Sequence, residues 1–376
     1  MKLTILQEKL KEGLGMIERI SSKSLTLPIL NNVLISSEKN FLNLAATDLE
    51  IGVNWWILTK TEKEGSLAIP SRLFSSFINL LPNKKIGVEV KNNTVFLECE
   101  NYKTQIKGFP AEEFPIIPKV TEGEFILVNS ATFCQSLNQV VDIAALSTTK
   151  PEISGIYLLF QKDLITVTAT DSFRLGEKKI FLKNHSDLKK DYSLIIPQKA
   201  AKEIINIFGA KSSELKIYFS SNQVMFELPM AETQHAQAQL VSRLIEGEYP
   251  NYREIIPKKF TTQISCSRPE FLNQIKSASL FSGKINEVKI KAEPKKGEIE
   301  IFSQNPESGE YRSSLAAKIK GSAIEVSFNH KFLLDGLANI KSAEINLELN
   351  GSSGPGVLRP VGDQSYLYVV MPIKAT

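Results

Sequence analysis

Thr47-Asp48 and Thr170-Asp171 are the residues that first invite a chemical reading, since a carboxylate beside a hydroxyl is raw material for general acid–base work. The two dipeptides fall in distant parts of the chain. Neither has a His, a Lys or a second acid at a spacing that would tune a catalytic pKa. No Gly-x-Ser-x-Gly elbow and no Gly-x-x-x-x-Gly-Lys phosphate cradle occurs. The run Gly351-Ser352-Ser353-Gly354-Pro355-Gly356 is glycine-rich, but it leads into a strand-like segment, so it lacks the amide-lined anion site of a helix start and reads as a flexible loop. Cys99, Cys134 and Cys266 are an odd, scattered set that argues against a disulfide framework, and they read as core thiols. His185, His235 and His330 show no metal-ligand spacing with each other or with the cysteines. The expectation is a chain with no catalytic residues, no metal and no cofactor.

Elements must therefore be sought that position binding groups, and they come in repeats. Ile69-Pro70-Ser71-Arg72-Leu73-Phe74 aligns without a gap on Ile196-Pro197-Gln198-Lys199-Ala200-Ala201, and more loosely on Phe328-Asn329-His330-Lys331-Phe332-Leu333. All three copies put a cation at one helical position: Arg72, Lys199 and Lys331. Ala46-Thr47-Asp48 is answered by Ala169-Thr170-Asp171, and Glu113-Phe114-Pro115 by Glu248-Tyr249-Pro250. The interval is ~125 residues, too long for a solenoid and about the size of an independent domain. Three domains of one fold are expected, over residues 1–122, 123–258 and 259–376.

Each third opens with a strand running into an amphipathic helix: Leu3-Thr4-Ile5-Leu6 with Leu6, Leu10, Leu14 and Ile17 on one face, then Phe125-Ile126-Leu127-Val128 with Phe133, Leu137, Val140 and Ala144. In the third, Ser267 and Glu270 have the spacing of a capping box, ahead of Phe271, Ile275 and Ala278. Hairpin patterns follow, then the shared helix, which Pro70 and Pro197 introduce and Gly209 ends in the second copy. Strands close each third. Two helices among about eight strands give an α+β domain with antiparallel sheets.

Composition fits an ordinary globular chain, with 42% hydrophobic and 23% charged residues. No apolar run approaches the ~20 residues of a membrane span, and the start is charged too soon for a signal peptide, so the expected location is the cytoplasm, with no membrane partner. The net charge of +4 lies mainly in the last third: each third holds fifteen Lys and Arg, against fourteen, fifteen and twelve acids. No concentrated basic stripe appears. Any nucleic-acid contact must then come from a few cations arranged on one surface, giving weak, sequence-blind attraction to phosphates.

Leu27-Pro28-Ile29-Leu30-Asn31, Thr47-Asp48-Leu49-Glu50, Thr170-Asp171-Ser172-Phe173-Arg174-Leu175, Tyr249-Pro250-Asn251-Tyr252-Arg253 and Val369-Val370-Met371-Pro372-Ile373, in this order and threefold context, resemble the bacterial DNA polymerase III beta subunit over the full length. That family is the sliding-clamp processivity factor. The resemblance implies a head-to-tail homodimer, a ring with twelve helices lining a hole for double-stranded DNA, no sequence preference, and tethering of the replicative DNA polymerase. It also implies a clamp loader and other proteins that carry clamp-binding motifs as partners.

For DNA contact the resemblance and the repeat point to Arg72, Lys199 and Lys331, with Lys202 as a neighbour. Ser24, with Lys23 adjacent, stands where the family often carries a DNA-touching arginine. For a partner-peptide pocket the matching positions are Thr170, Ser172, Phe173, Arg174, Leu175, Pro250, Ile255, Val369, Met371, Pro372 and Ile373, with Ile153 completing the wall. An apolar pocket with a flexible Met and a few polar groups suits peptides of varied sequence. Phe173 replaces a frequent histidine, and Glu254 takes a position often held by arginine. Arg174 also has a purely local reading, as a salt bridge to Asp171 or another carboxylate that holds its loop. The alternative for the whole chain is a repeat-built scaffold that binds proteins and never DNA.

Overall fold

The structure, a computed structural model, describes every residue except 22–26, 121–122, 148, 183–185, 187, 211, 234 and 375–376. The first third forms β1 (Lys2–Leu6), α1 (Gln7–Ile17), β2 (Asn32–Glu38), β3 (Phe41–Thr47), β4 (Ile51–Leu58), β5 (Lys60–Lys63), β6 (Gly65–Pro70), α2 (Ser71–Leu80), β7 (Lys85–Lys91), β8 (Thr94–Cys99) and β9 (Tyr102–Lys107). The second forms β10 (Phe125–Asn129), α3 (Ser130–Asn138), β11 (Gly155–Phe160), β12 (Leu164–Thr170), β13 (Arg174–Phe181), β14 (Tyr192–Pro197), α4 (Gln198–Phe208), β15 (Glu214–Phe219), β16 (Gln223–Pro229) and β17 (Ala236–Arg243). The third forms β18 (Thr262–Ser267), α5 (Arg268–Ser279), β19 (Glu287–Glu293), β20 (Glu298–Asn305), β21 (Gly309–Gly321), β22 (Ile324–Asn329), α6 (His330–Ala338), β23 (Glu344–Leu349), β24 (Gly356–Pro360) and β25 (Tyr366–Val370). The α+β expectation holds, with two helices in each third.

One strand order recurs. The neighbours run β6-β2-β3-β4, β14-β11-β12-β13 and β22-β19-β20-β21, and again β1-β7-β8-β9, β10-β15-β16-β17 and β18-β23-β24-β25. All pairings are antiparallel, as short connections require. The sheets do not stop at the ends of the repeats. β17 pairs with β4, aligning Leu240 with Val53, and β25 pairs with β13, aligning Val369 with Leu175. The chain accordingly divides into two compact units, one built from Met1–Gln135 and Lys199–Leu244 with a short further segment, the other from the remainder. The first holds a five-stranded and an eight-stranded sheet, the second a twelve-stranded one, so the middle repeat gives strands to both.

Helix faces follow the apolar spacing. Leu10, Leu14 and Ile17 of α1, Phe133 and Leu137 of α3, and Phe271, Ile275 and Ala278 of α5 are all buried. Leu6 is an exception: it ends β1 and stays exposed, because the strand's alternation turns it outward before the helix begins. The helix starts also differ from expectation. Pro70 and Pro197 are the last residues of β6 and β14, one place before the first helical residue. Ser267 sits at the N-cap of α5, yet its side chain makes no capping hydrogen bond. Asn329 does cap α6, its side-chain oxygen accepting from the Lys331 amide at 3.0 Å. Gly209 ends α4 as expected, its amide donating to the Ile205 carbonyl at 3.0 Å. Among the described residues no helix is long and apolar enough to cross a membrane.

Candidate binding site

The two Thr-Asp dipeptides build the same turn. At β3–β4 the Thr47 hydroxyl donates to the Ile51 carbonyl (2.9 Å) and accepts from the Leu49 amide (3.0 Å), while Asp48 Oδ1 accepts from the amides of Glu50 (3.0 Å) and Ile51 (2.7 Å). At β12–β13 Thr170 donates to the Arg174 carbonyl (2.7 Å) and accepts from Ser172 (3.2 Å), and Asp171 Oδ1 accepts from Phe173 and Arg174 (both 2.9 Å). Leu49 and Ser172 take the left-handed tip, at φ 75° and 76°. Both acids are thus turn-formers, committed to backbone amides.

The second turn presents Arg174. Its Nε donates to Asp171 Oδ2 at 2.9 Å, Nη1 donates to Asp335 Oδ2 on α6, and Nη2 donates to the Asp142 carbonyl at 3.2 Å. The guanidinium also lies 4.9 Å from the Phe332 ring centroid, a cation–π contact. Burial works against its charge, but the oxygens of Tyr368 and Asp171 outweigh that and hold its pKa above the ordinary value. The loop-holding reading of Arg174 is therefore real, and it ties the turn to α6. That helix can lie on β25 because Gly336 has no side chain: a Cβ there would meet Tyr368 Cδ1 at 2.5 Å. Tyr368 in turn donates to the Phe332 carbonyl at 2.8 Å.

On the other face of β13 and β25, Leu175 and Val369 pack with Tyr252, Val357 and Leu367. Tyr252 begins a 3-10 turn, Tyr252–Ile255, and its hydroxyl donates to Glu177 Oε2 at 2.6 Å while accepting from Thr168 at 3.2 Å. Burial, with the Glu177 charge, pushes the Tyr252 pKa up to about 12. A buried carboxylate satisfied in this way anchors the segment that carries Ile255. The two faces meet at the strand ends, where the Met371 amide donates to the Phe173 carbonyl at 2.8 Å.

The expected pocket residues separate by exposure. Phe173, Ile255 and Met371 offer open apolar surface, at 62%, 49% and 37%. Ser172 and Pro250 are exposed beside them, and Pro372 and Ile373 are half-buried. Ile153, Leu175 and Val369 are buried, and Thr170 is occupied inside its turn. Pro372 and Ile373 also bridge to β22, the Ile373 amide donating to the Ser327 carbonyl at 2.8 Å.

Of the expected DNA cations, Arg72 on α2, Lys202 on α4 and Lys331 on α6 are exposed. Lys199 is ion-paired with Asp48, whose side chain is largely buried. Lys23 and Ser24 lie outside the described residues. Sequence reading missed Phe332 and Asp335, although a signal existed: they follow Lys331 on the shared helix at i, i+3 spacing, which puts both on one face. Phe332 stacks on Phe173 with ring centroids 6.3 Å apart.

Comparison with known proteins bears on all of this. Models of the DNA polymerase III beta subunit match in series: its N-terminal domain over residues 1–118, its central domain over 127–251 and its C-terminal domain over 253–374. The chain is 27% identical to the beta sliding clamp of Staphylococcus aureus over 384 aligned residues, covering 100% of this chain and 99% of that protein. It is 28% identical to the beta sliding clamp of Bacillus subtilis, with both chains covered in full. The crystal structure of the Bacillus subtilis DNA polymerase sliding clamp superposes with a TM-score of 0.93 over 100% of both chains. With every third of its length matched in order, the chain belongs to the DNA polymerase III beta-subunit family.

Proposed function

We propose that the chain is a DNA sliding clamp: two copies join head to tail around duplex DNA, and the ring tethers the replicative polymerase and other DNA-processing proteins. The work is topological and needs no catalytic group, so the chain is not an enzyme. Its place is the cytoplasm, where a loader opens and closes the ring. A modest net charge suits this role, because tight phosphate contacts would act as brakes.

One observation carries the reading. Strand β17 docks on β4 and β25 docks on β13, the same junction twice. The third pair of equivalents, β9 and the first half of β21, has no such partner among the described residues: β9 pairs only with β8, and Gly309–Ala316 only with β20. One copy's β9 meeting another's β21 would complete the series, and doing so twice closes a two-chain ring. Beside that edge Leu280 is 75% exposed, and Phe281 stacks on Tyr311 of β21 at 6.0 Å.

Leu280→Asp is expected to break the dimer. Losing about 2 kcal/mol of apolar burial at each of two identical interfaces weakens it ~10³-fold. Light scattering after gel filtration reads the mass, and an unchanged dimer removes Leu280 from the seam. Loading onto nicked circular DNA tests the topology. The protein should stay on the circle through gel filtration and leave when the circle is cut; retention on linear DNA would sink the clamp reading. Arg72→Glu with Lys331→Glu should cut loading roughly tenfold at moderate salt. Normal loading by that variant would return the two cations to ordinary surface charge and favour a scaffold without DNA contact.

A further inference from the structure

The first strand junction carries a cavity of its own. It measures about 90 Å³, opens where β17 docks on β4, and has Leu49, Glu50, Gly52, Ile116, Val241 and Arg243 in its lining. That is room for about three waters or one small aliphatic side chain. Its position is the counterpart of the candidate peptide site at the second junction. The Arg243 amide donates to the Glu50 carbonyl at 2.9 Å, as the Met371 amide does to Phe173, and Val241 stands across from Gly52 as Val369 does from Leu175. Ile117 packs on Val241 as Tyr252 packs on Val369. It can lie there because Gly52 is bare: a Cβ on that residue would meet Ile117 Cγ2 at 2.6 Å.

The chemistry at the counterpart positions is exchanged. Where the second junction has Phe173 and Met371, the first has Glu50 and Arg243. Where the second has Ser172 and Asn251, the first has Leu49 and Ile116, which are 43% and 92% exposed. Asp48, in the same turn, is already taken up by two backbone amides and by Lys199, and Lys119 is exposed but outside the lining. Glu50 and Arg243 are thus the charges in the lining, both exposed, and among the described residues neither makes an ion pair. Arg243 is the better placed to select a ligand. Its backbone is held on both sides, by Glu50 and by Gln223 of β16, and a guanidinium takes a carboxylate by two parallel bonds, whereas glutamate is depleted at protein interfaces.

We propose that the first junction is a second peptide site, for a segment in which an aliphatic anchor stands next to an aspartate or glutamate. The anchor lies on Leu49 and Ile116 with its tip in the cavity, and the carboxylate meets Arg243. Because the apolar and charged positions are exchanged, the two junctions of one copy select different segments and can hold them at once. This inference rests on the reading of the second junction as a peptide site.

The test is fluorescence anisotropy on the full-length protein with labelled synthetic peptides: one with Leu and Phe anchors and Ser flanks, one with a Leu anchor followed by Asp, and a copy of the latter with Lys for Asp. The Leu-Asp peptide should bind in the presence of saturating Leu-Phe peptide, about tenfold more tightly than the Leu-Lys copy at low salt, with the gap closing as salt rises. Arg243→Glu should weaken it about tenfold and Ile116→Ser severalfold, both at exposed positions, with the Leu-Phe peptide bound as before. Deleting residues 371–376 should do the reverse. Displacement of the Leu-Asp peptide by the Leu-Phe peptide, equal affinity for the Leu-Lys copy, or indifference to Arg243→Glu overturns the proposal. So does failure of the Leu-Asp peptide to bind while the Leu-Phe peptide binds, which leaves the second junction standing. If only the Leu-Asp peptide binds and it responds to Arg243→Glu, the first site stands and the reading of the second junction falls; binding of neither overturns both.

Discussion

Arg174→Ala is expected to abolish partner-peptide capture and to lower the unfolding free energy by about 2–3 kcal/mol, below the range for a fully buried pair. The guanidinium holds three acceptors from three parts of the chain, namely Asp171 in its own turn, the Asp142 carbonyl, and Asp335 on α6. Removing it leaves Asp335 able to hydrate, because that side chain is 55% exposed, and leaves Asp171 its two backbone amides. The loss is therefore moderate for stability and severe for position. Phe332 loses its cation–π partner, and the link between the turn and α6 is cut, so Phe173 and Phe332 no longer present a fixed apolar wall. Arg174→Lys should recover only part of the affinity, since a single ammonium cannot span three acceptors as a planar fork does. Urea unfolding and peptide anisotropy on the same samples check both halves. Wild-type affinity in the alanine variant would show that the turn needs no tie to α6.

Deleting residues 371–376 is expected to remove peptide binding entirely while leaving the dimer intact. The deletion takes away Met371, whose amide holds the Phe173 carbonyl, and with it the bridge that Pro372 and Ile373 lay on β22. Each repeat has such a strap: Phe109 exchanges bonds with Ala68 of β6, and the Ile245 amide donates to Ile195 of β14. Without the third strap β22 becomes a bare edge with unpaired backbone groups, so the truncated protein should also self-associate at high concentration. Anisotropy reads the first effect, and light scattering over a dilution series reads the other two. Peptide affinity within about twofold of the full chain would mean that Ile255 and Phe173 suffice, contrary to the role given to the tail.

The sequence made the repeats and their helices legible because those signals are local. A cation at the second position of a shared helix, a repeated Thr-Asp dipeptide, and apolar residues at helical spacing can all be read without knowing what they face. The two Thr-Asp dipeptides were legible as a repeat, but that both fold into one turn, matched amide by amide, was not. Pairings between strands distant in sequence were not legible. Ala238 and Leu240 alternate with Gln237 and Gln239 as residues of a strand do, but nothing in them names β4 as the neighbour of β17, and the same holds for β25 and β13. Hence the three repeats were visible and the compact units, which cut through the second repeat, were not. The missed members of the candidate site have a related cause. Aligning the helices by Arg72, Lys199 and Lys331 drew attention to the cation and away from Phe332 and Asp335, which matter only because α6 passes the Arg174 turn.

The recurring strand junction has a kinetic consequence. Two of the three junctions in each copy join segments of a single polypeptide, so a junction that parts is re-formed against an effective concentration in the range of millimolar. In the proposed ring the junction between copies has no covalent tether: when one seam parts the copies stay joined only through the other, and when both part re-formation depends on the free protein in solution. Even with similar contacts at all of them, the lifetime of the proposed ring would then be set by the seam where the backbone is interrupted. Joining two copies by a peptide linker across one such seam would leave a single place for DNA to enter, and the opening rate should fall to about half that of the unlinked dimer.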